Sequence, residues 1–253
     1  MIPFYIHDFL NSTPVTFPIE KGIMGEEITL NYFSPSEIVE KIQTTDTFSG
    51  VVPSIVLRNN ALNRIDSFCI SSKGKVKTVC LYSQNPLEEI KTIFLDTRSR
   101  TSHVMLKIIL SLKGIANKIE YKTLDYKNGF PAEKQSAFMV IGDDNFHFHE
   151  QTSGMRNYDL GELWFELTGK KFVHAVALAK NSDTAHTLNI LFQECIEYSS
   201  RHFHELIDFA SQRYQLDKKI CESYLKENIQ YQLDKEAEEG LNHFIALANK
   251  YDL

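Results

Sequence analysis

The chain lacks most of the signals that would assign a function at once. No stretch approaches 18 uncharged apolar residues, so a membrane-spanning helix is not expected. The N-terminus, Met1-Ile2-Pro3-Phe4-Tyr5-Ile6-His7-Asp8, has neither the basic nor the long apolar region of a secretion signal, and a cytoplasmic location is expected. There is no Cys-x-x-Cys spacing. The four cysteines, Cys69, Cys80, Cys195 and Cys221, stand in apolar or helical contexts, which fits packed, reduced thiols better than a disulfide framework or a zinc site. No glycine-rich phosphate loop, Gly-x-Ser-x-Gly elbow, internal repeat or low-complexity linker occurs. Positive charge is also short: Lys+Arg is 27 against Asp+Glu 33, a net charge of −6. Residues 1–181 carry 20 basic and 20 acidic side chains, and the remainder carries 7 and 13, so the whole imbalance lies in the C-terminal part. Without an extended basic field, neither nucleic acid nor an anionic membrane is expected as a partner.

What remains is an ordinary globular composition, 43% hydrophobic and 24% charged over 253 residues, enough for one large domain or two lobes. The first 180 residues alternate β-like runs with helical patterns, and the chain beyond about 183 reads as helix. This is an α/β body with a helical C-terminal segment. Ser34-Pro35-Ser36-Glu37 is a capping box with proline at the first helical position and predicts a helix to about Gln43. It leads into Gly50-Val51-Val52-Pro53-Ser54-Ile55-Val56-Leu57, an apolar run of the kind buried in a parallel sheet. Besides a first strand before Asn11, strands are expected at Phe68 to Ser71, Lys77 to Tyr82, Thr92 to Leu95, Ala137 to Ile141 and Phe172 to Ala179. A second helix is expected from the hydroxyl-rich Ser99-Arg100-Thr101-Ser102 to Gly114, with Met105, Ile108, Ile109 and Leu112 on one face. The C-terminal helices carry Leu188, Leu191, Phe192, Cys195 and Ile196, then Phe203, Leu206, Ile207 and Ala210, followed by two shorter helices over Lys219 to Asn228 and Glu236 to Lys250.

Three groups of residues offer chemistry. Thr97, Ser99, Thr101 and Ser102 open a helix, where free N–H groups, the positive dipole end and small hydroxyls suit a carboxylate or phosphate; ordinary capping accounts for one hydroxyl of the four. Asn11, Ser12 and Ser83 fall at expected strand ends and could face the same crevice, and Asp143-Asp144 follow the strand that ends in Val140-Ile141-Gly142. A polar turn explains the acidic pair equally well. His-Phe-His-Glu occurs twice, at 147–150 and 202–205. Only the first copy could chelate, because i and i+2 share a face in a strand but not in a helix; packed or solvated histidines are the expected outcome, with no metal.

Several segments taken together resemble one family. Phe9-Leu10-Asn11-Ser12-Thr13-Pro14, Val52-Pro53-Ser54-Ile55, Cys69-Ile70-Ser71-Ser72-Lys73-Gly74, Leu87-Glu88-Glu89-Ile90, Leu95-Asp96-Thr97-Arg98-Ser99-Arg100-Thr101-Ser102, Ile141-Gly142-Asp143-Asp144 and Tyr158-Asp159-Leu160-Gly161-Glu162-Leu163-Trp164 are similar, in order and spacing, to segments of the chorismate dehydratases of the futalosine route to menaquinone. Leu167-Thr168-Gly169 and Gly240-Leu241-x-x-Phe244 extend the resemblance. It implies a two-lobed type II periplasmic-binding-protein-like fold, with residues 1–84 and 176–253 in one lobe and 85–175 in the other. It also implies a carbon–oxygen lyase that removes water from chorismate to give 3-[(1-carboxyvinyl)oxy]benzoate, without a cofactor. Asn11 and Ser83 would be the catalytic pair. Ser12, Pro53, Ser54, Ile55, Ser99, Thr101, Ser102, Gly142 and Asp143 would bind the substrate. The related dihydroxynaphthoate synthases carry a histidine where this chain has Gly142-Asp143. The family usually has Tyr at position 9, where Phe9 stands, and Glu-Tyr where Val56-Leu57 stand. The rival class is an intracellular, non-catalytic binding protein for a small carboxylate.

Overall fold

Local signals place the first elements. In the computed structural model, which describes residues 1–253 apart from 60–61, 125–128, 130–132 and 149–150, Ser34 caps the helix Pro35–Thr44 through both halves of a capping box: Ser34 N–H donates to Glu37 Oε2 at 2.8 Å and Glu37 N–H to Ser34 Oγ. Ser99 Oγ accepts from Ser102 N at 3.2 Å and starts the helix Arg100–Leu112.

The strands form two five-stranded sheets. The first holds β1 (Ile2–Ile6), β2 (Ile28–Tyr32), β3 (Ser49–Pro53), β4 (Asn63–Ser72) and β10 (Phe172–Ala179) in the order β2-β1-β3-β10-β4. The second holds β5 (Val79–Ser83), β6 (Thr92–Leu95), β7 (Glu120–Thr123), β8 (Ser136–Ile141) and β9 (Arg156–Asp159) in the order β7-β6-β8-β5-β9. Each sheet pairs three parallel strands and then takes an antiparallel one, β10 or β5, which is the first strand after the chain has crossed from the other sheet. The crossings therefore come earlier than the sequence suggests. The chain leaves the first sheet after Ser72 and enters the second at Val79, so β5 does not belong with residues 1–84; β10 begins at Phe172, so its first residues do not belong with 85–175. The apolar run from Gly50 also divides: Pro53, which has no N–H, closes β3, and Ser54–Arg58 turns into a 3₁₀ helix. β3 has a parallel neighbour in β1 and an antiparallel one in β10, where an all-parallel setting was expected.

The helices are α1 (Thr13–Glu20), α2 (Pro35–Thr44), α3 (Arg100–Leu112), α4 (Asp144–His147), α5 (Leu160–Thr168), α6 (Ser182–Arg201), α7 (Phe203–Tyr214), α8 (Lys218–Ser223) and α9 (Lys235–Lys250), with a π turn at Tyr224–Asn228. The long α6 packs on α1 and β4, and α9 on β10, so the acidic C-terminal helices return to the first sheet. The largest core runs through both sheets, from Phe4, Phe68 and Phe192 to Ile93, Met105 and Trp164. All four cysteines are buried, and burial raises the thiols of Cys69 and Cys195 to about 12 and that of Cys221 to about 11. Among the described residues, no helix is long and apolar enough to cross a membrane.

The crossings are tied down by the segments that carry the family resemblance. The Asp159 carboxylate caps α5 by accepting from Glu162 N at 3.1 Å, and it also accepts from Val76 N and Lys77 N in the first crossing, at 3.1 and 2.7 Å. A Cβ on Gly161 would stand 2.6 Å from the Gly74 carbonyl. At the second crossing, a Cβ on Gly240 would stand 2.1 Å from the Lys171 carbonyl, which accepts from Trp164 Nε1 at 3.3 Å.

Candidate functional site

The C-terminal ends of β1, β3 and β8 meet at one cleft between the sheets, the location where open α/β sheets place their ligands. It encloses about 570 Å³ of non-protein space, mouth included. From the first sheet come His7, Phe9 and Asn11 after β1, Val51 to Pro53 at the end of β3, and His174 on β10. From the other side come Thr78, Val79, Ser99, Ser102, Ile141 and Gly142. The walls are mainly apolar and, among the described residues, carry no Lys, Arg, Asp or Glu.

Three contacts hold the halves together across this cleft. Leu10 N–H donates to Asp143 Oδ2 at 2.8 Å, Ile55 N–H donates to Thr101 Oγ1 at 3.3 Å, and the Phe9 ring packs on Gly142. Gly142 has φ +70°, and a Cβ there would stand 2.9 Å from Phe9 Cε1, so both backbone and space require glycine. The Asp143 side chain is buried with Oδ1 unpartnered. Burial, reinforced by the charges of Asp144 and Asp8 and opposed by the Leu10 N–H bond and Arg98, lifts its carboxyl to about 7. Arg98 itself is committed to Asp96 and Asp144, with Nη2–oxygen distances of 2.6 Å to each.

Asn11, in the turn that follows β1, lines the cleft and is buried. Its Nδ2 donates to the Tyr224 hydroxyl at 3.2 Å, Thr78 Oγ1 lies 2.9 Å from the same hydroxyl, and Asn11 Oδ1 is buried without a partner. Tyr224 is fully buried at the start of the π turn, an irregularity often found at functional sites, and burial raises its phenol far above the ordinary value. Two histidines share the cleft. His7 Nδ1 lies 2.7 Å from Ser12 Oγ, and burial lowers its imidazole to about 4. His174 Nε2 lies 2.9 Å from Ser72 Oγ, and burial lowers that imidazole to about 3. Both are neutral at pH 7.

The residues singled out in the sequence separate into three groups. Asn11, Pro53, Ser99, Ser102 and Gly142 line the cleft. Ser12, Ser54, Ile55, Thr101 and Asp143 stand behind it: Ser12 on His7, Ser54 Oγ donating to the Val173 carbonyl at 2.6 Å, and the other three in the contacts between the halves. Thr97 is exposed. Ser83 is elsewhere. β5 enters at the cleft with Val79 and runs away from it, so Ser83, four residues on, lies roughly 13 Å further along the strand. Its Oγ donates to the Ser136 carbonyl at 2.8 Å and accepts from Asn85 N at 3.0 Å. The assignment of Ser83 to the cleft is thereby corrected, and Thr78, at the other end of the same strand, stands beside Asn11 instead. His147 is exposed on α4, and its partners His149 and Glu150 lie outside the described residues. His202 stacks on Tyr198 at 3.9 Å. Among the described residues, no cluster of three or more His, Cys, Asp or Glu could hold a metal ion.

Sequence reasoning passed over His7, Thr78, His174 and Tyr224. A polar residue inside the apolar run Phe172 to Ala179 was the available signal for His174, and a strand-end position was the signal for His7. Tyr224 gave none, since only the return of the C-terminal helices brings it to Asn11.

Solved structures share this architecture. The chain is similar to protein AF1704 from Archaeoglobus fulgidus, with a TM-score of 0.81 at 12% identity over 99% of this chain and 97% of that one. It is similar to the alkanesulfonate-binding protein SsuA from Xanthomonas axonopodis pv. citri, solved with MOPS bound, with a TM-score of 0.71 at 15% identity over 100% and 93% of the two chains. The periplasmic aliphatic sulphonate binding protein SsuA from Escherichia coli gives 0.69 at 13% over 99% and 92%. The fold is thus that of the periplasmic binding proteins, two α/β halves around a ligand cleft. Within that class, the menaquinone biosynthesis family matches residues 6–250, and the chain belongs to it. The family implies an enzymatic role.

Proposed function

We propose that the protein is a chorismate dehydratase, removing water from chorismate to give 3-[(1-carboxyvinyl)oxy]benzoate. Membership in a menaquinone biosynthesis family supports an enzyme of that route, and the segments from Phe9 to Trp164 resemble the dehydratases within it. The observation that carries the reading is the wall chemistry: a mostly apolar cleft whose polar groups are neutral donors and acceptors, among them an Asn11 amide with an unpartnered oxygen.

The reaction needs little from the protein beyond orientation and desolvation. The ring proton at C3 leaves, its electron pair forms the C3=C4 bond, and the C4 hydroxyl departs, with proton and hydroxide balancing as water. Aromatisation supplies the driving force. Among the described residues no Asp, Glu or Lys lines the cleft, and imidazoles held at about 4 and 3 are weak bases. The substrate's own enolpyruvyl carboxylate, made more basic by desolvation, takes the proton. Asn11, oriented by Tyr224 and Thr78, addresses the leaving hydroxyl, while Ser99 and Ser102 at the positive end of α3 meet a carboxylate. The dihydroxynaphthoate synthase reading is disfavoured by Gly142, because a side chain there would collide with Phe9.

The test is incubation of the purified protein with chorismate, followed by the loss of diene absorbance and the appearance of an aromatic acid. Asn11→Ala is expected to lower turnover about 100-fold, the scale of losing one aligned polar group in a dry site. Tight binding without turnover would refute the proposal and leave a non-catalytic carboxylate binder.

A further inference from the structure

β10 runs between β3 and β4, and its register against β4 shifts twice, between Val173 and Ala175 and between Val176 and Ala177, the first beside the cleft. Val173 pairs with Ser71 and Ala175 with Ile70, so His174 is an extra residue without a partner on β4. Such a bulge re-aims a side chain and recurs beside active sites. Here it presents His174 to the cleft wall, with its ring 4.8 Å from the ring of Phe172. Ser72 Oγ stands 2.9 Å from Nε2, while Nδ1 is out of contact with solvent and has no hydrogen-bond partner. A buried polar atom left without a partner is costly, and native structures rarely keep one without a use. Among the described residues no Lys or Arg lines this cleft, and the donors placed to meet a carboxylate entering it are neutral.

We infer that His174, fixed by Ser72, is a specificity-determining residue that donates Nδ1–H to a carboxylate oxygen of the bound substrate. The inference rests on the dehydratase reading for the identity of that substrate. Ser72 Oγ and Nε2 are within hydrogen-bond distance, and in the tautomer that the inference requires the hydroxyl is the donor, which keeps the ring proton on Nδ1 and aligns it before the ligand arrives. The low imidazole pKa agrees with a donor that stays neutral when an anion is absent.

The experiment combines steady-state kinetics on chorismate with thermal unfolding of the ligand-free protein. His174→Phe keeps the ring shape and removes both nitrogens; it is expected to raise KM at least roughly tenfold, the scale of one hydrogen bond to a charged group, with a much smaller change in kcat. His174→Asn places an amide N–H near the Nδ1 position and is expected to recover most of the loss, whereas His174→Gln, which reaches the Nε2 position, is not. Ser72→Ala should give an intermediate KM. Ligand-free Ser72→Ala/His174→Phe should unfold no earlier than Ser72→Ala, because without the Ser72 hydroxyl both nitrogens that the second substitution deletes lack a partner, whereas His174→Phe alone also strips the buried Ser72 hydroxyl of its own. Wild-type KM in His174→Phe, or equal KM values for the Asn and Gln variants, would overturn the inference while leaving the proposed function standing. A wild-type protein that neither binds nor converts chorismate would refute the function; the unfolding measurement needs no substrate and still decides the inference, since earlier unfolding of Ser72→Ala/His174→Phe than of Ser72→Ala would make His174 a packing residue.

Discussion

The buried carboxyl that joins the two halves leads to a prediction about acid stability. Asp143 is lifted to about 7 from an ordinary 3.8, so the folded protein holds a proton that the unfolded chain releases. Its contribution to stability is fully present below about 4 and is lost as pH rises through 7. His7 and His174 act in the opposite sense. Lowered to about 4 and 3 from 6.5, they are neutral when folded, and their contribution is present above 6.5 and lost on acidification. Between pH 7 and pH 5, protonation of folded Asp143 stabilises by roughly 2 kcal/mol, and protonation of the two unfolded imidazoles costs roughly 4 kcal/mol, at about 1.4 kcal/mol per pKa unit. Together these three groups should therefore cost the wild type only roughly 2 kcal/mol over this interval, because the two effects oppose each other. Asp143→Asn retains an acceptor for Leu10 N–H but cannot take up the proton. Its loss between pH 7 and pH 5 should rise to roughly 4 kcal/mol, while at pH 8, freed of a buried charge, it should be no less stable than the wild type. Urea unfolding at pH 5, 6, 7 and 8 measures both slopes. Equal pH slopes for the two proteins would show that Asp143 is ionised throughout and would remove the reasoning.

Two further expectations test the placement of the site. Ser83→Ala should leave kcat within about threefold of the wild type and lower stability by about 1–2 kcal/mol, because its hydroxyl serves Ser136 and Asn85 rather than the cleft; a collapse of turnover with unchanged urea unfolding would restore Ser83 to the catalytic machinery. Tyr224→Phe deletes the hydroxyl shared by Asn11 and Thr78, and as a positioning residue it should lower kcat roughly tenfold with little change in KM. An increase in KM at constant kcat would mean that Tyr224 acts in binding instead.

The parts of the fold that were legible in the sequence are those decided within a few residues. The capping box of Ser34 and Glu37 and the cap at Ser99 are local chemistry, and both helices start where that chemistry places them. The buried strand β8 is an unbroken apolar run from Ala137, and β10 is an apolar run interrupted by His174. By contrast β2, β7 and β9 read Ile-Thr-Leu-Asn-Tyr, Glu-Tyr-Lys-Thr and Arg-Asn-Tyr-Asp: short, mostly polar and partly exposed, they owe their extended form to the neighbouring strand rather than to a hydrophobic pattern. The crossings were displaced for a related reason. Nothing in the composition of Val79 to Ser83 distinguishes a strand that ends one sheet from one that begins the next, and that single ambiguity carried Ser83 into the site and left Thr78 out.

The segments that identify the family have a different role from the residues that meet in the cleft. Asp159 gathers the amides of Val76 and Lys77, Gly161 lets α5 approach Gly74, and Gly240 lets α9 approach Lys171. All three brace the two crossings, about which the halves of a binding-protein fold open and close. Asp143 and Gly142 belong to the same set, through Leu10 N–H and the Phe9 ring. A sequence signature built mainly from such residues reports a shared way of joining the two halves. It reports the ligand less directly, because the polar atoms left unpartnered in the cleft belong to Asn11, inside the signature, and to His174, outside it. The departures from the family pattern divide along the same line. Phe9 packs on Gly142, Val56 is buried, and Leu57 is half-buried beside the second core, so these positions shape closure and packing. His174 offers a nitrogen to whatever the cleft encloses. Differences in substrate among relatives of this chain should therefore follow the residue at the β10 bulge more closely than the residues at positions 9, 56 and 57.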